Sequence, residues 1–412
     1  MASGPRYKWY LVALLTCNAA LNYGDRTATS AVFPLFRAEL HMSDVALAAI
    51  GSFFLWSYAI GSPLAGLVAD RLSRSRLVVW SLAAWSVVTL LTGISQTANQ
   101  LLGTRILLGF AECLYLPAAV ALIADHHPAG SRATAMGIHV AGLNVGMVFG
   151  AALAGYMAEE FGWRIPFLVL GGIGLALAVL SHFSLRDAAG PLVTGQAQSS
   201  PGVRQTMREI FRVPTYLVLL AEAMLVSVGT WMFANWLPLY YKETFHMSLA
   251  GAGFSGTFML QVAATAGVAF GGVVSDRIAR RSLKARMLVM ALYYFGAAPC
   301  LLTFLWSTSY SLVSLSLFFY SLLRAMGTVN EHPIICDVLN TRSRSTAIGL
   351  ANSANCLAGG IGIFVAGYLK KDFGLSGVFG GVSVIVAIAG LLTLAGYLWF
   401  IERDLKARGQ AA

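Results

Sequence analysis

Long apolar runs, broken by short polar clusters, set the pattern of the whole chain. Each run is close to the roughly 20 residues an α-helix needs to cross about 30 Å of hydrocarbon. In the first half they predict spans at 9–35, 44–69, 77–97, 101–124, 133–157 and 163–185. In the second half they fall at 214–240, 250–275, 286–307, 310–337, 343–369 and 375–401. The longest polar stretch is 186–213, with Gly190-Pro191, Gln196-Ala-Gln-Ser-Ser-Pro201, Arg204, Arg208 and Arg212. It reads as a cytoplasmic linker with a short amphipathic segment. The expected organisation is a six-helix bundle in 1–185, the linker, and a second six-helix bundle in 214–412.

Composition agrees with lipid as the main solvent. Of 412 residues, 57% are hydrophobic and 11% charged, where a soluble domain carries about 25% charged residues. The formal charge of +10 does not point to nucleic acid, because the basic residues sit in small clusters between apolar runs. With the N-terminus inside, 20 Lys and Arg fall on the cytoplasmic side and five outside: Arg37, Arg164, Lys242, Lys370 and Lys371. That bias places both termini in the cytoplasm. Pro5-Arg6-Tyr7-Lys8 before the first run resembles a signal peptide, but no small-residue cleavage site follows, so the run reads as a retained span. The five cysteines lie in apolar stretches without CxxC spacing and imply neither a disulfide frame nor a metal site.

The two halves repeat. Gly66-Leu-Val-Ala-Asp70-Arg71-Leu-Ser-Arg74 recurs as Gly272-Val-Val-Ser-Asp276-Arg277-Ile-Ala-Arg280, 206 residues on. Arg132-Ala-Thr-Ala-Met-Gly137 recurs as Arg344-Ser-Thr-Ala-Ile-Gly349, 212 residues on, an offset shared by Asp125 and Asp337. The fold class expected is therefore an all-α membrane protein, with twelve transmembrane helices in two pseudo-symmetric bundles. Parallel repeats of this kind place a solute site between halves, near the midplane, reached by rocking.

Charges inside spans are expensive and mark function by default. Asp25 and Arg26 lie in the first span. Arg105 and Glu112 are seven residues apart in the fourth, on one helix face and at comparable depth. Asp25 and Glu112 are candidate proton-coupling groups, because burial and a neighbouring Arg act on a carboxylate in opposite directions. Arg26 and Arg105 are candidate anion ligands, since a guanidinium binds a carboxylate bidentately. An anion that competes for an Arg would leave a carboxylate free to take a proton, linking the two binding events. A static ion-pair network joining the two spans is compatible with the same residues.

In the second half, Arg324 is a second possible anion contact or a partner for Glu331. Glu331 and His332 could relay a proton or simply bond helix ends. Glu222 has no partner legible in the sequence and is expected to snorkel to the cytoplasm. Asp70, Arg71, Arg74, Asp276 and Arg277 could latch one conformation and release it in another, or serve orientation alone. Gly142, Gly146 and Gly150 recur every four residues, a spacing that permits close helix contact. Tyr23, Tyr115, Asn144 and Asn355 are candidate substrate-binding residues. There is no Walker loop, HExxH or strand-to-helix GxSxG, so neither an enzyme nor a metal or other cofactor is expected.

The Gly66-x-x-x-Asp70-Arg71-x-x-Arg74-x-Arg76 loop and its copy resemble the signature of the major facilitator superfamily. With the repeat and linker, the resemblance covers essentially the whole chain. Asn22-Tyr23-x-Asp25-Arg26, Arg105, Glu112, Trp236-Leu-Pro238 and Asn355-x-x-x-Gly359-Gly360 are similar to its anion:cation symporter branch of sialin-like and sugar-acid transporters. The Spinster lipid-transporter branch carries much the same charged set and resembles the chain at Ala297-Ala-Pro-Cys300. The resemblance implies a proton-coupled symporter of a small organic anion, with Asp25, Arg26, Arg105 and Glu112 in the roles above; a monomer is expected, and with no organellar targeting signal in the sequence the expected location is the bacterial inner membrane. A lysolipid or sphingolipid-type transporter is the alternative, and a non-transporting receptor or scaffold a third class.

Overall fold

The computed structural model describes residues 5–69, 72–187 and 203–409, which form helices and connections with no strand among them. Asp70 and Arg71, and most of the 186–213 linker, lie outside the described residues. The first helices are α1 (Pro5–Ala31), α2 (Phe33–Leu40), α3 (Asp44–Ala69), α4 (Arg74–Gly93), α5 (Ala98–Glu112), α6 (Tyr115–His126), α7 (Ala129–Phe161) and α8 (Arg164–Ser184). There follow α9 (Val203–Phe211), α10 (Pro214–Phe245), α11 (Leu249–Ala279), α12 (Ala285–Ala297), a 3₁₀ segment (Ala298–Leu305), α13 (Tyr310–Thr328), α14 (Glu331–Val338), α15 (Thr341–Trp399) and α16 (Ile401–Lys406).

Ten segments among the described residues are long and apolar enough to cross a membrane. α1, which carries Asp25 and Arg26, is not one of them. One of the ten is α15, whose 59 residues would extend close to 90 Å, about three times the hydrocarbon thickness. Gly374 breaks it, with φ 64 and ψ 171, a backbone that glycine adopts without Cβ penalty. Proline marks other interruptions. Pro34 sits in the first turn of α2 where α1 ends, and Pro299 opens the 3₁₀ segment that follows α12. The predicted fourth span is broken at Cys113–Leu114, between α5 and α6, where Pro117 has no N–H for the Cys113 carbonyl four residues back and its ring crowds that carbonyl.

The chain divides into two compact units. Unit 1 is Met1–Gln198 with Ala234–Thr257, and unit 2 is Ser199–Phe233 with Phe258–Ala412. In unit 1, α1 lies on α7 along Thr16, Ala20 and Gly24 opposite Gly142, Gly146 and Gly150. A Cβ at Gly146 would fall on the Ala20 carbonyl, and one at Gly150 on the Gly24 backbone. The four-residue glycine spacing therefore does packing work, as small residues do between membrane helices. Thr27 adds a bond across this contact to the Met147 carbonyl at 2.9 Å.

Polar side chains close the helix ends. Asp187 accepts the Ser75 N–H at 2.9 Å at the start of α4, and Asp404 accepts the Thr215 N–H at 3.0 Å at the start of α10. A carboxylate there satisfies an orphan donor and complements the helix dipole. Arg74 pairs with Asp125 in unit 1, and Arg286 pairs with Asp337 at 2.9 Å in unit 2. The two pairs stand 212 positions apart, the offset already seen in the sequence.

Candidate functional site

The close α1–α7 contact fixes the turn of α1 that carries Asn22, Tyr23, Asp25 and Arg26. Around that turn unit 1 collects four charged side chains from two helices, with threonines from α1 and α4. Arg26 donates from Nε to Glu112 Oε2 at 2.8 Å and from Nη2 to Asn22 Oδ1 at 3.2 Å. Its guanidinium is boxed by the Tyr23, Phe54 and Tyr58 rings, at 4.4, 4.9 and 5.0 Å from their centroids. The Glu112 side chain is fully buried. This is a neutralised, aromatic-walled ion pair, the arrangement that makes a buried charge tolerable.

Arg105 is handled differently. It is 3% exposed and donates from Nη1 to Thr29 Oγ1 at 2.9 Å and from Nη2 to Thr92 Oγ1 at 2.6 Å. Its Nε has no partner, and no carboxylate among the described residues lies within ion-pair distance of it. The Phe167 ring stands 5.8 Å away. Asp25 is 2% exposed; its Oδ2 accepts the Thr89 hydroxyl at 3.1 Å, and its Oδ1 has no partner. One cation and one anion are therefore buried in the same region, each held by hydroxyls and each short of a bond.

The threonines were not singled out in the sequence. Thr89 and Thr92 also bond their own helix at Trp85 and Val88, the ordinary habit of a hydroxyl in an apolar helix. Their spacing of three on α4 was the available signal, since it puts both on one helix face.

The other candidates divide. Tyr23 stacks on Arg26. Tyr115 is buried, its hydroxyl donating to the Leu15 carbonyl at 2.7 Å and its ring edge-on to Trp85, which is a packing position. Asn144 is half-buried on α7. Asn355 receives the Ser227 hydroxyl on its carbonyl at 2.6 Å, while its side-chain Oδ1 is buried without a partner. Of the gating candidates, Arg74 meets Asp125, Asp276 lies 3.5 Å from Arg286, and Arg277 is exposed; Asp70 and Arg71 are outside the described residues.

In unit 2, Arg324 stands within electrostatic reach of Glu331, Tyr294 and Tyr320. His332 is exposed while its neighbour Glu331 faces this group, so the sequence pair is split between two directions. Glu222 corrects the sequence reading. It does not snorkel: it is 0% exposed, beside Glu331 and Tyr294. Towards the C-terminal end, Glu402 on α16 bonds Lys284 and Lys406, each at 2.8 Å. These bonds, that from Lys284 first, draw its carboxyl down to about 2.

Comparison with known proteins adds the following. The family model of the Major Facilitator Superfamily matches residues 15–322 and 283–412. An MFS-type efflux pump of Mycolicibacterium smegmatis is 26% identical over 381 residues, 90% of this chain and 86% of that protein. A probable galactarate/D-glucarate transporter of Bacillus subtilis is 24% identical over 426 residues, 94% of this chain and 92% of that protein. Among solved structures, a bacterial homolog of the human lysosomal transporter Spinster, inward-facing and unoccupied, superposes with a TM-score of 0.83. It is 20% identical and covers 98% of this chain and 99% of its own, a likeness of fold.

Proposed function

The chain belongs to the major facilitator superfamily of membrane transporters, and from that premise we propose that it carries a small organic anion across the bacterial inner membrane by proton-coupled symport. In this reading it is a monomer of twelve spans in two pseudo-symmetric bundles, with both termini cytoplasmic, working by alternating access. α1 and the two parts of α15 on either side of Gly374 complete the count.

The observation that carries the anion reading is the state of Arg105. A buried guanidinium held only by two threonine hydroxyls is a charge still lacking its counter-ion. A carboxylate of the solute supplies it, in the forked geometry that guanidinium groups favour. Arg26 serves a different end, because Glu112 already neutralises it. The name of the galactarate/D-glucarate relative supports sugar acids and monocarboxylates as the class to try first.

Asp25 is the proton acceptor in this scheme. Its free Oδ1 takes a proton from water when the solute carboxylate occupies Arg105 and removes that cation's attraction for Asp25. Proton and anion then enter together and leave together, since each favours the other's binding. Glu112 contributes by holding Arg26, and exchanges that partner only if the solute reaches it.

Purified protein in liposomes, with an inward-directed pH gradient and a panel of organic acids, tests the proposal. Gradient-driven accumulation of at least one acid is expected, lost in Asp25→Asn while exchange of the same acid persists. No accumulation of any acid, together with uptake of a lysolipid, would replace the anion reading with a lipid one.

A further inference from the structure

Unit 2 contains a charged group that the anion site does not use. Glu222 lies about two turns into α10, 0% exposed, and neither carboxyl oxygen has a hydrogen-bond partner. α12 brings Tyr294 to it, also 0% exposed, with its hydroxyl beside the carboxyl. Glu331 of α14 faces the same carboxyl. Arg324 of α13 stands beside Glu331 and Tyr294. Among the described residues, Glu222 thus has one further carboxylate and one phenol around it, with the Arg324 guanidinium beside both of these.

The charge count decides the chemistry. Arg324 can neutralise one of two carboxylates. The other would be a buried anion without a cation, which proteins avoid by keeping the group neutral. Glu331 is the more exposed of the two and the one beside Arg324, so Glu222 is the group left to be neutralised. Tyr294 suits a neutral partner, because its hydroxyl can donate to the carbonyl oxygen of a protonated acid.

We propose that Glu222, with Glu331, Tyr294 and Arg324, forms a second proton-binding site in unit 2, separate from Asp25 and Glu112. One O–H bond forms on a Glu222 oxygen, with the proton drawn from water, and breaks when it leaves. Two carboxylates sharing one buried proton titrate as a pair. The site stands on unit 2 alone and holds whatever the cargo is.

Infrared difference spectra of the purified full-length protein, recorded across a pH titration, test it without any transport assay. A carboxylic-acid carbonyl stretch is expected that disappears at high pH, is missing in Glu222→Gln and is retained in Asp25→Asn. Tyr294→Phe should shift its frequency. Glu331→Gln leaves Arg324 free for Glu222, so the band should vanish about one pH unit earlier, a tenfold weaker hold on the proton. The Glu331→Gln measurement stands even if Glu222→Gln does not fold. An unchanged titrating band in Glu222→Gln, or an unchanged midpoint in Glu331→Gln, would overturn the proposal. So would bleaching of the band by sodium at fixed pH, which would make the site a metal-cation site. Because Asp25→Asn is spectroscopically independent, loss of transport in that variant leaves this result untouched.

Discussion

Replacing Arg105 by Lys keeps the charge and removes the fork, and the structure sets the expected loss. A guanidinium has five N–H donors. Two are committed to Thr29 and Thr92, which leaves three for a solute, among them the unpartnered Nε–H. A Lys ammonium has three donors in all; bonded to the same two hydroxyls, it offers one. The solute carboxylate therefore loses one bond to a charged group, worth about 1.5–3 kcal/mol, or roughly 10- to 150-fold in Kd. The assay is thermal stabilisation of purified protein against concentration of whichever organic acid stabilises it most, since ligand bound to the native state raises its melting temperature. The ligand-free melting temperature of Arg105→Lys serves as the folding control. Thr92→Val frees an Nη2 donor and keeps the charge, so it should weaken binding far less. A Kd within about threefold of wild type in Arg105→Lys, with the protein still folded, would refute the assignment of Arg105 as the anion ligand.

Two further measurements probe the frame around the site. Gly146→Leu forces a side chain onto the Ala20 carbonyl and should lower the melting temperature by the equivalent of at least about 1–3 kcal/mol, the usual range for overpacking; a melting temperature equal to wild type would mean α1 and α7 do not pack this closely. Glu402 should stabilise the fold in a pH-dependent way. Its folded value is drawn down to about 2, below the roughly 4.3 of an unfolded Glu, so its contribution is complete above that upper value and fades as pH falls towards the lower one. Wild type should therefore melt above Glu402→Gln at neutral pH, with the gap closing between those two values, and a constant gap would contradict the assignment.

Much of the charged site was legible because charges in apolar runs stand out. Asp25, Arg105 and Glu112 proved buried in unit 1, with Arg26 partly buried against Glu112. Their partnering was not legible. Arg105 and Glu112 share a helix face, yet Glu112 takes Arg26 while Arg105 turns to threonines on two other helices. A threonine in a span carries no signature that separates a ligand from a hydroxyl bonding its own helix. Glu222 was misread because hydropathy reports how apolar a segment is, not which side of it faces protein. The helix breaks are more legible. Pro34, Pro299 and the cluster Lys370-Lys371-Asp372 before Gly374 are visible in the sequence. So is the break after Glu112, since Pro117 cannot bond the Cys113 carbonyl four residues back. The repeated aspartates at 125 and 337 were visible as a pattern, but their arginine partners, Arg74 and Arg286, emerged only from the fold.

Gly374 has an outcome for how the protein is made. With a single left-handed residue between two apolar helices, there is almost no connecting chain to wait outside while the second helix follows. In the twelve-span reading, the two segments on either side of Gly374 therefore enter the bilayer together. A β-branched residue at this one position would strain that turn and should show itself first as poor yield in the membrane.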